Sequence, residues 1–417
     1  MKRIYLDHVD ASGSKYYTLL AWLGLIVAVG LGCMYYMEHN GHWVTGMNNE
    51  VVWGTPHVFA VFLIVAASGA LNVASVSSVF SRKMYKPLAP LSTVLSVSLL
   101  AGGLAVLVLD LGRPDRLTVA MTSYNFKSIF SWNIYLYTGF FVIVLAYLWT
   151  MMERRMHAVA PRMGLFAFVW RLALTTGTGS IFGFIVARQA FDAAIMAPMF
   201  IVFSFAYGLA FFNLVVMAIY SWTDREMGLF VTHRMSGMLR IFVAGSFYFV
   251  IVYHLTNLYA TEHHGWETFV LMNGGIYTTL FWVGQVGIGY VLPMILLFHS
   301  GTRENRGAIA GASILVILGG MAQMYVTIIG GQAFPLVLFP GLEVSSSFAD
   351  GVVASYTPSG WEVGLGVMGF AITLLIVTVA IKALRIVPNS LADKFLDPDY
   401  EKTQAQLAKE EALAEQA

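Results

Sequence analysis

The chain has 417 residues and a single cysteine, Cys33, which lies inside a long apolar run. One thiol can neither close an intrachain disulfide nor hold an iron–sulfur cluster, whose ligation takes several cysteines. Charge is scarce as well. Asp, Glu, Lys and Arg make up 11% of the residues, where soluble domains carry roughly a quarter. With 58% hydrophobic residues and a mean hydropathy of +0.71, the composition is that of an all-α polytopic membrane protein. The 24 basic and 23 acidic side chains nearly cancel, and the basic ones form no stripe, so nucleic acid is set aside as a partner. No Asp or Glu falls in the middle of an apolar run, so the acidic relay of a strong proton pump is missing.

What is present is a set of runs near the roughly 20 residues that cross a bilayer, at 16–37, 54–80, 88–110, 132–152, 164–191, 193–222, 236–260, 269–299, 307–330 and 361–386. The first, flanked by Lys2, Arg3 and Lys15, is too long for a signal-peptide core and reads as an uncleaved helix. Lys and Arg gather at both ends and in alternate connections, while 38–53, 261–268 and 331–360 have none. The positive-inside rule then puts both termini in the cytoplasm, and the expected location is a bacterial inner membrane. Residues 1–386 are expected to form the membrane domain and 387–417 a cytoplasmic tail. Arg113, Arg116, Lys127 and Arg188 break the charge bias on the outer side, which points to a functional reason. The Pro- and Gly-containing segment 331–360 is long enough to fold over that surface.

One apolar run ends in a charged knot, Asp110-Leu111-Gly112-Arg113-Pro114-Asp115-Arg116. A carboxylate there is costly in hydrocarbon and calls for a partner. Gly54-Thr55-Pro56-His57 opens the preceding span from the same side, so His57 and Asp110 share a depth. Ser131, Trp132 and Asn133 begin the following span beside them. A lone transmembrane histidine more often satisfies a neighbouring backbone or side-chain group; the match in depth with Asp110 is what singles His57 out. Histidine, carboxylate and aromatics in an apolar wall suit a quinone head group, whose oxygens need hydrogen bonds and whose hydroxyl protons need a base. Arg113 is expected either to hold Asp110 or to face a partner.

The second half offers rivals. His254, Asn257 and Tyr277 form a possible second site, near Glu262, His263, His264 and Glu267. A bis-histidine haem b anchor would need a second, inner histidine pair, and none is found; the His263-His264 cluster reads as a solvated loop rather than a metal site. Asn72, Arg171 and Asn213 lie at comparable depth, either lining a proton route or, for the arginine, snorkelling. Glycine-broken helices also fit a secondary transporter, although the charges gather at one face rather than at the midplane.

Asp110 to Arg116, the Gly54 to His57 helix start, Lys86-Pro87-Leu88-Ala89-Pro90 and Asn125 to Asn133 together resemble the NrfD/polysulfide reductase membrane-subunit family, and the span pattern matches over nearly the whole chain. Ten spans are most similar to its longer branch, which includes the DsrP subunit of the sulfite-reductase-associated transmembrane complex. The resemblance implies two four-helix bundles, roughly 54–191 and 193–330, plus extra helices. It implies a subunit without haem or cluster, exchanging electrons between menaquinone or ubiquinone and an extracytoplasmic ferredoxin-like iron–sulfur subunit. Such a subunit acts as a quinol dehydrogenase or quinone reductase only within a complex, alongside further cytochrome and membrane subunits of sulfur or respiratory metabolism.

Overall fold

The computed structural model describes residues 4–10, 13–337, 339, 342 and 351–401. Among them ten helices are long and apolar enough to cross a membrane: Ser14–Asn40, Thr55–Ser78, Lys83–Leu109, Ile129–Met152, Ala160–Gly183, Met196–Trp222, Leu229–Tyr259, Ile276–Phe298, Arg306–Ala333 and Gly360–Ala383, numbered here as spans one to ten. The protein is a multi-pass membrane protein. Span boundaries follow local chemistry. The second span starts after Gly54 with Pro56 in its first turn, where the missing N–H is not needed. The apolar run expected to reach residue 191 stops at Gly183, and 184–195 are mostly turns.

The second span is the most enclosed of the ten and packs on the third and the sixth. Its contact with the sixth is backbone on backbone. A Cβ on Gly69 would lie 1.5 Å from Ser204 O, and one on Gly208 would lie 2.0 Å from Ala70 N. Small residues let membrane helices approach this closely and gain dispersion contacts that lipid cannot outcompete. Spans one and ten pack on each other, and span ten also covers spans two and three. Spans eight and nine contain π-helical turns at Leu280–Val291 and Val326–Gly330.

Described segments from the beginning and the end of the sequence lie together. Strand β1 (Leu6–Asp7) pairs antiparallel with β2 (Val387–Pro388). Arg225 ties both down, donating to His8 O at 2.8 Å and to the Pro388 carbonyl at 3.2 Å. Asp393 caps the seventh span through the N–H groups of Leu229 and Phe230. The segment from 387, expected as a cytoplasmic tail, is packed at its start: Val387 and Leu391 are fully buried. Its apolar residues were obscured in sequence by the polar run that follows them; 402–417 lie outside the described residues, as do 338, 340, 341 and 343–350 of the loop expected over the outer surface.

Candidate functional site

The third span ends with the wrong charge for its dipole. Asp110 is its C-cap, at φ −96° and ψ 1°, where a carboxylate faces the negative end of the helix. Gly112, at φ +66°, then turns the chain away, a conformation that a side chain would strain. Asp110 is nonetheless buried, and its Oδ2 lies 2.8 Å from Nδ1 of His57, one turn into the second span. The contact is short without being aligned as a hydrogen bond, and Asp110 Oδ1 has no hydrogen-bond partner among the described residues. The pair keeps capacity for a further donor.

His57 forms part of the wall of a cavity of about 350 Å³ among spans two to five. Val61 and Ile64 continue the same helical face below it, and Leu104, Leu107, Phe130, Tyr137 and Phe182 enclose it. The Trp53 ring lies over His57 at 6.2 Å and 22°. A mostly apolar cleft of a few hundred Å³ with a few placed polar groups is the usual form of a small-molecule site. Asn133 lines it too: Nδ2 donates to Ile129 O and Gly177 O, while Oδ1 is buried without a hydrogen-bond partner among the described residues.

The other residues expected here lie elsewhere. Ser131 and Trp132 do not line the cavity, and Trp132 is exposed, its Nε1 bonded to Phe126 O. Helical rotation explains this, because residues one and two positions before Asn133 point away from the face that Asn133 presents. Arg113 does not hold Asp110. It pairs with Asp115 at 3.2 Å in solvent, and those hydrogen bonds hold the Asp115 carboxyl below its usual range.

The second half carries a similar pair that sequence reasoning missed. His254 Nδ1 bonds Glu267 Oε2 at 2.8 Å, Asn257 Nδ2 donates to Glu267 Oε1 at 2.9 Å, and Glu267 is fully buried. Its place just after two histidines, in a loop read as wet, hid it, and no local sequence signal marked it. The adjoining cavity, of about 20 Å³, has room for one water molecule and not for a quinone ring. Tyr277 packs instead on Phe269 and Tyr325. His57 and His254 line different cavities, each against its own carboxylate, so they are not a facing axial pair for a haem. His263 is buried and bonded to Gln189 O rather than solvated.

Arg171 does not snorkel. It is buried, with Nη1 donating to Asn72 Oδ1 at 2.7 Å and Ser68 O at 3.0 Å, and its guanidinium lies over Phe168 and Phe205. Asn72 and Ser68 extend the helical face that carries His57, Val61 and Ile64. Asn213 is buried with neither amide atom hydrogen-bonded among the described residues. Around the start of the second span, Thr55 N–H donates to Tyr356 Oη, which donates on to Glu362 Oε1 at 2.6 Å. Desolvation and the adjacent Glu362 push the Tyr356 hydroxyl well above its ordinary value, so it remains a donor.

The chain matches the family model described as Polysulphide reductase, NrfD, over residues 43–336. The Hdr-like menaquinol oxidoreductase integral membrane subunit of Archaeoglobus fulgidus is 28% identical, across 93% of this chain and 98% of the relative. The menaquinone reductase integral membrane subunit of Nitratidesulfovibrio vulgaris is 24% identical, across 90% and 93%. Protein NrfD of Escherichia coli is 24% identical, across 68% of this chain and 96% of the relative.

Proposed function

Because the chain belongs to the NrfD/polysulphide reductase family, we propose that it is the quinone-reacting membrane subunit of a multi-subunit redox complex, with the quinone head group in the cavity beside His57. The observation that carries this reading is the His57–Asp110 pair, 2.8 Å apart, with His57 at the wall of a mostly apolar cavity. The residues fit such a ligand. His57 turns Nδ1 to Asp110, which leaves Nε2 for a ring oxygen, and Asn133 Oδ1 is an unspent acceptor. Val61, Ile64, Leu104 and Leu107 supply an apolar path for a prenyl tail.

A bound quinol supplies two electrons and two protons on oxidation and takes them back on reduction. His57 accepts the hydroxyl proton at Nε2, and Asp110 fixes the imidazole and stabilises the cation that forms. The names of two relatives support menaquinone as the quinone class. With one cysteine, the chain has no ligand set for a cluster, so electrons pass to a partner that carries its own, an extracytoplasmic iron–sulfur subunit in this reading. Arg113, Arg116 and Lys127, exposed near the Asp110 end of the third span, are its docking surface.

The test is quinol turnover in membranes containing the intact complex. Asp110→Asn and His57→Ala should each lower turnover by about 10²-fold or more, with the complex still assembled, and the double variant should lose little beyond the worse single because the two act as one unit. Wild-type turnover in both single variants would put the site elsewhere.

A further inference from the structure

Gln332 lies at the end of the ninth span, just past the π turn Val326–Gly330, and is buried. Its side chain is saturated. Oε1 accepts the N–H groups of Val52 and Trp53, each at 3.0 Å, and Nε2 donates to Trp53 O at 3.0 Å and Ile328 O at 2.8 Å. All four hydrogen-bonding capacities of the amide are used. Its backbone carbonyl is held as well, by Arg188 Nη1 at 2.7 Å, and Arg188 Nη2 reaches Glu50 O at 3.2 Å.

The residues it grips matter for the cavity. Trp53 sits in a stretch with no helix or strand of its own, so its backbone N–H and C=O have no regular partner; the Gln332 amide pairs with both, as a neighbouring strand would. Trp53 and Ile328 both line the cavity, and the Trp53 ring lies over His57. Ile328 comes from the same turn as Val326 and Thr327, which line the small cavity beside His254.

We propose that Gln332 is a positioning residue for the quinone site: from the second half of the chain, it clamps the Trp53 peptide and so holds the indole against His57 and the cavity wall. This rests on the assignment of that cavity to the quinone. Loss of the clamp frees the indole to leave the wall, which weakens binding more than it slows chemistry.

The experiment uses the intact complex with Gln332→Leu, which removes every bond, and Gln332→Glu, which keeps acceptors for the two N–H groups but loses the donors to the two carbonyls. Equilibrium binding of 2-heptyl-4-hydroxyquinoline N-oxide and the quinol KM are measured beside kcat and melting temperature. Gln332→Leu should weaken binding of the analogue and raise KM by about tenfold, with Gln332→Glu between it and wild type, while kcat changes by less than about twofold. Trp53→Ala should reproduce the loss, and adding Gln332→Leu to it should cost nothing more. If Gln332→Leu fails to assemble, Gln332→Glu decides, alone and combined with Trp53→Ala. Unchanged affinity and KM, a drop in kcat alone, or a lower melting temperature with unchanged affinity each overturn the inference. If His57→Ala and Asp110→Asn also keep wild-type turnover, the cavity assignment itself falls; if those two lose turnover and Gln332 variants bind normally, only the clamp falls.

Discussion

Asp110 is not held in place by its helix. A carboxylate at a helix C-terminus opposes the macrodipole, and a buried one with an unbonded oxygen adds a desolvation cost. His57 offsets part of both. Stability and turnover should therefore separate at this pair. Asp110→Asn removes the buried charge and should melt at or above the wild-type temperature even as turnover collapses. His57→Ala strands the carboxylate and should cost about 1–3 kcal/mol, seen as a lower melting temperature of the purified complex. Equal melting of the two variants would mean that the pair is not electrostatically coupled. His57 and Asp110 were legible because depth along a helix can be counted from its ends. Glu267 was not: nothing local distinguishes a carboxylate that turns inward from one that stays in the loop.

Helix crossings are set by glycines that admit no substitute. At Gly69 and Gly208 the missing Cβ is filled by the backbone of the facing span, at 1.5 Å and 2.0 Å from the positions a Cβ would take. Gly208→Ala should therefore force spans two and six apart, at a cost of at least about 1–3 kcal/mol, and shift the wall that carries His57. Gly24→Ala is the control. Nothing lies within 4 Å of a Cβ there, so that variant should express and melt like wild type. Comparable yields of detergent-extracted protein from both would remove the crossing from the account. The small residues of spans two and six are plain in the sequence, but which small residue meets which is not. The π turns in spans eight and nine were equally invisible, since one extra residue per turn leaves hydropathy unchanged.

At the scale of the whole molecule, the family match at 43–336 leaves out spans one and ten, which pack on each other and cover spans two and three. The β1–β2 pair and Arg225 bring the segments around Leu6 and Pro388 to one face. The distribution of Lys and Arg leads us to propose that this face is cytoplasmic and the Asp110 end of the third span outside. The lone buried cysteine makes this testable. In a Cys33→Ser background, a cysteine at Lys127 should react with a membrane-impermeant maleimide in intact spheroplasts, and one at Lys394 only after permeabilisation. The reverse pattern would invert the topology and with it the side on which a partner docks.

Sequence alone was enough for the ten spans, the membrane location, the family and the shared depth of His57 and Asp110. These are properties of one coordinate, position along the chain, and hydropathy and helix rise convert it to depth. Azimuth and pairing were decided only in the folded protein. Asn133 enters the cavity while Ser131 and Trp132 turn away, Arg113 goes to Asp115 rather than Asp110, and His254 finds Glu267. Gln332 reaches Trp53 across 279 positions of sequence. Each depends on how helices rotate to bury small residues against one another, a balance of packing over many contacts that no local stretch of residues contains.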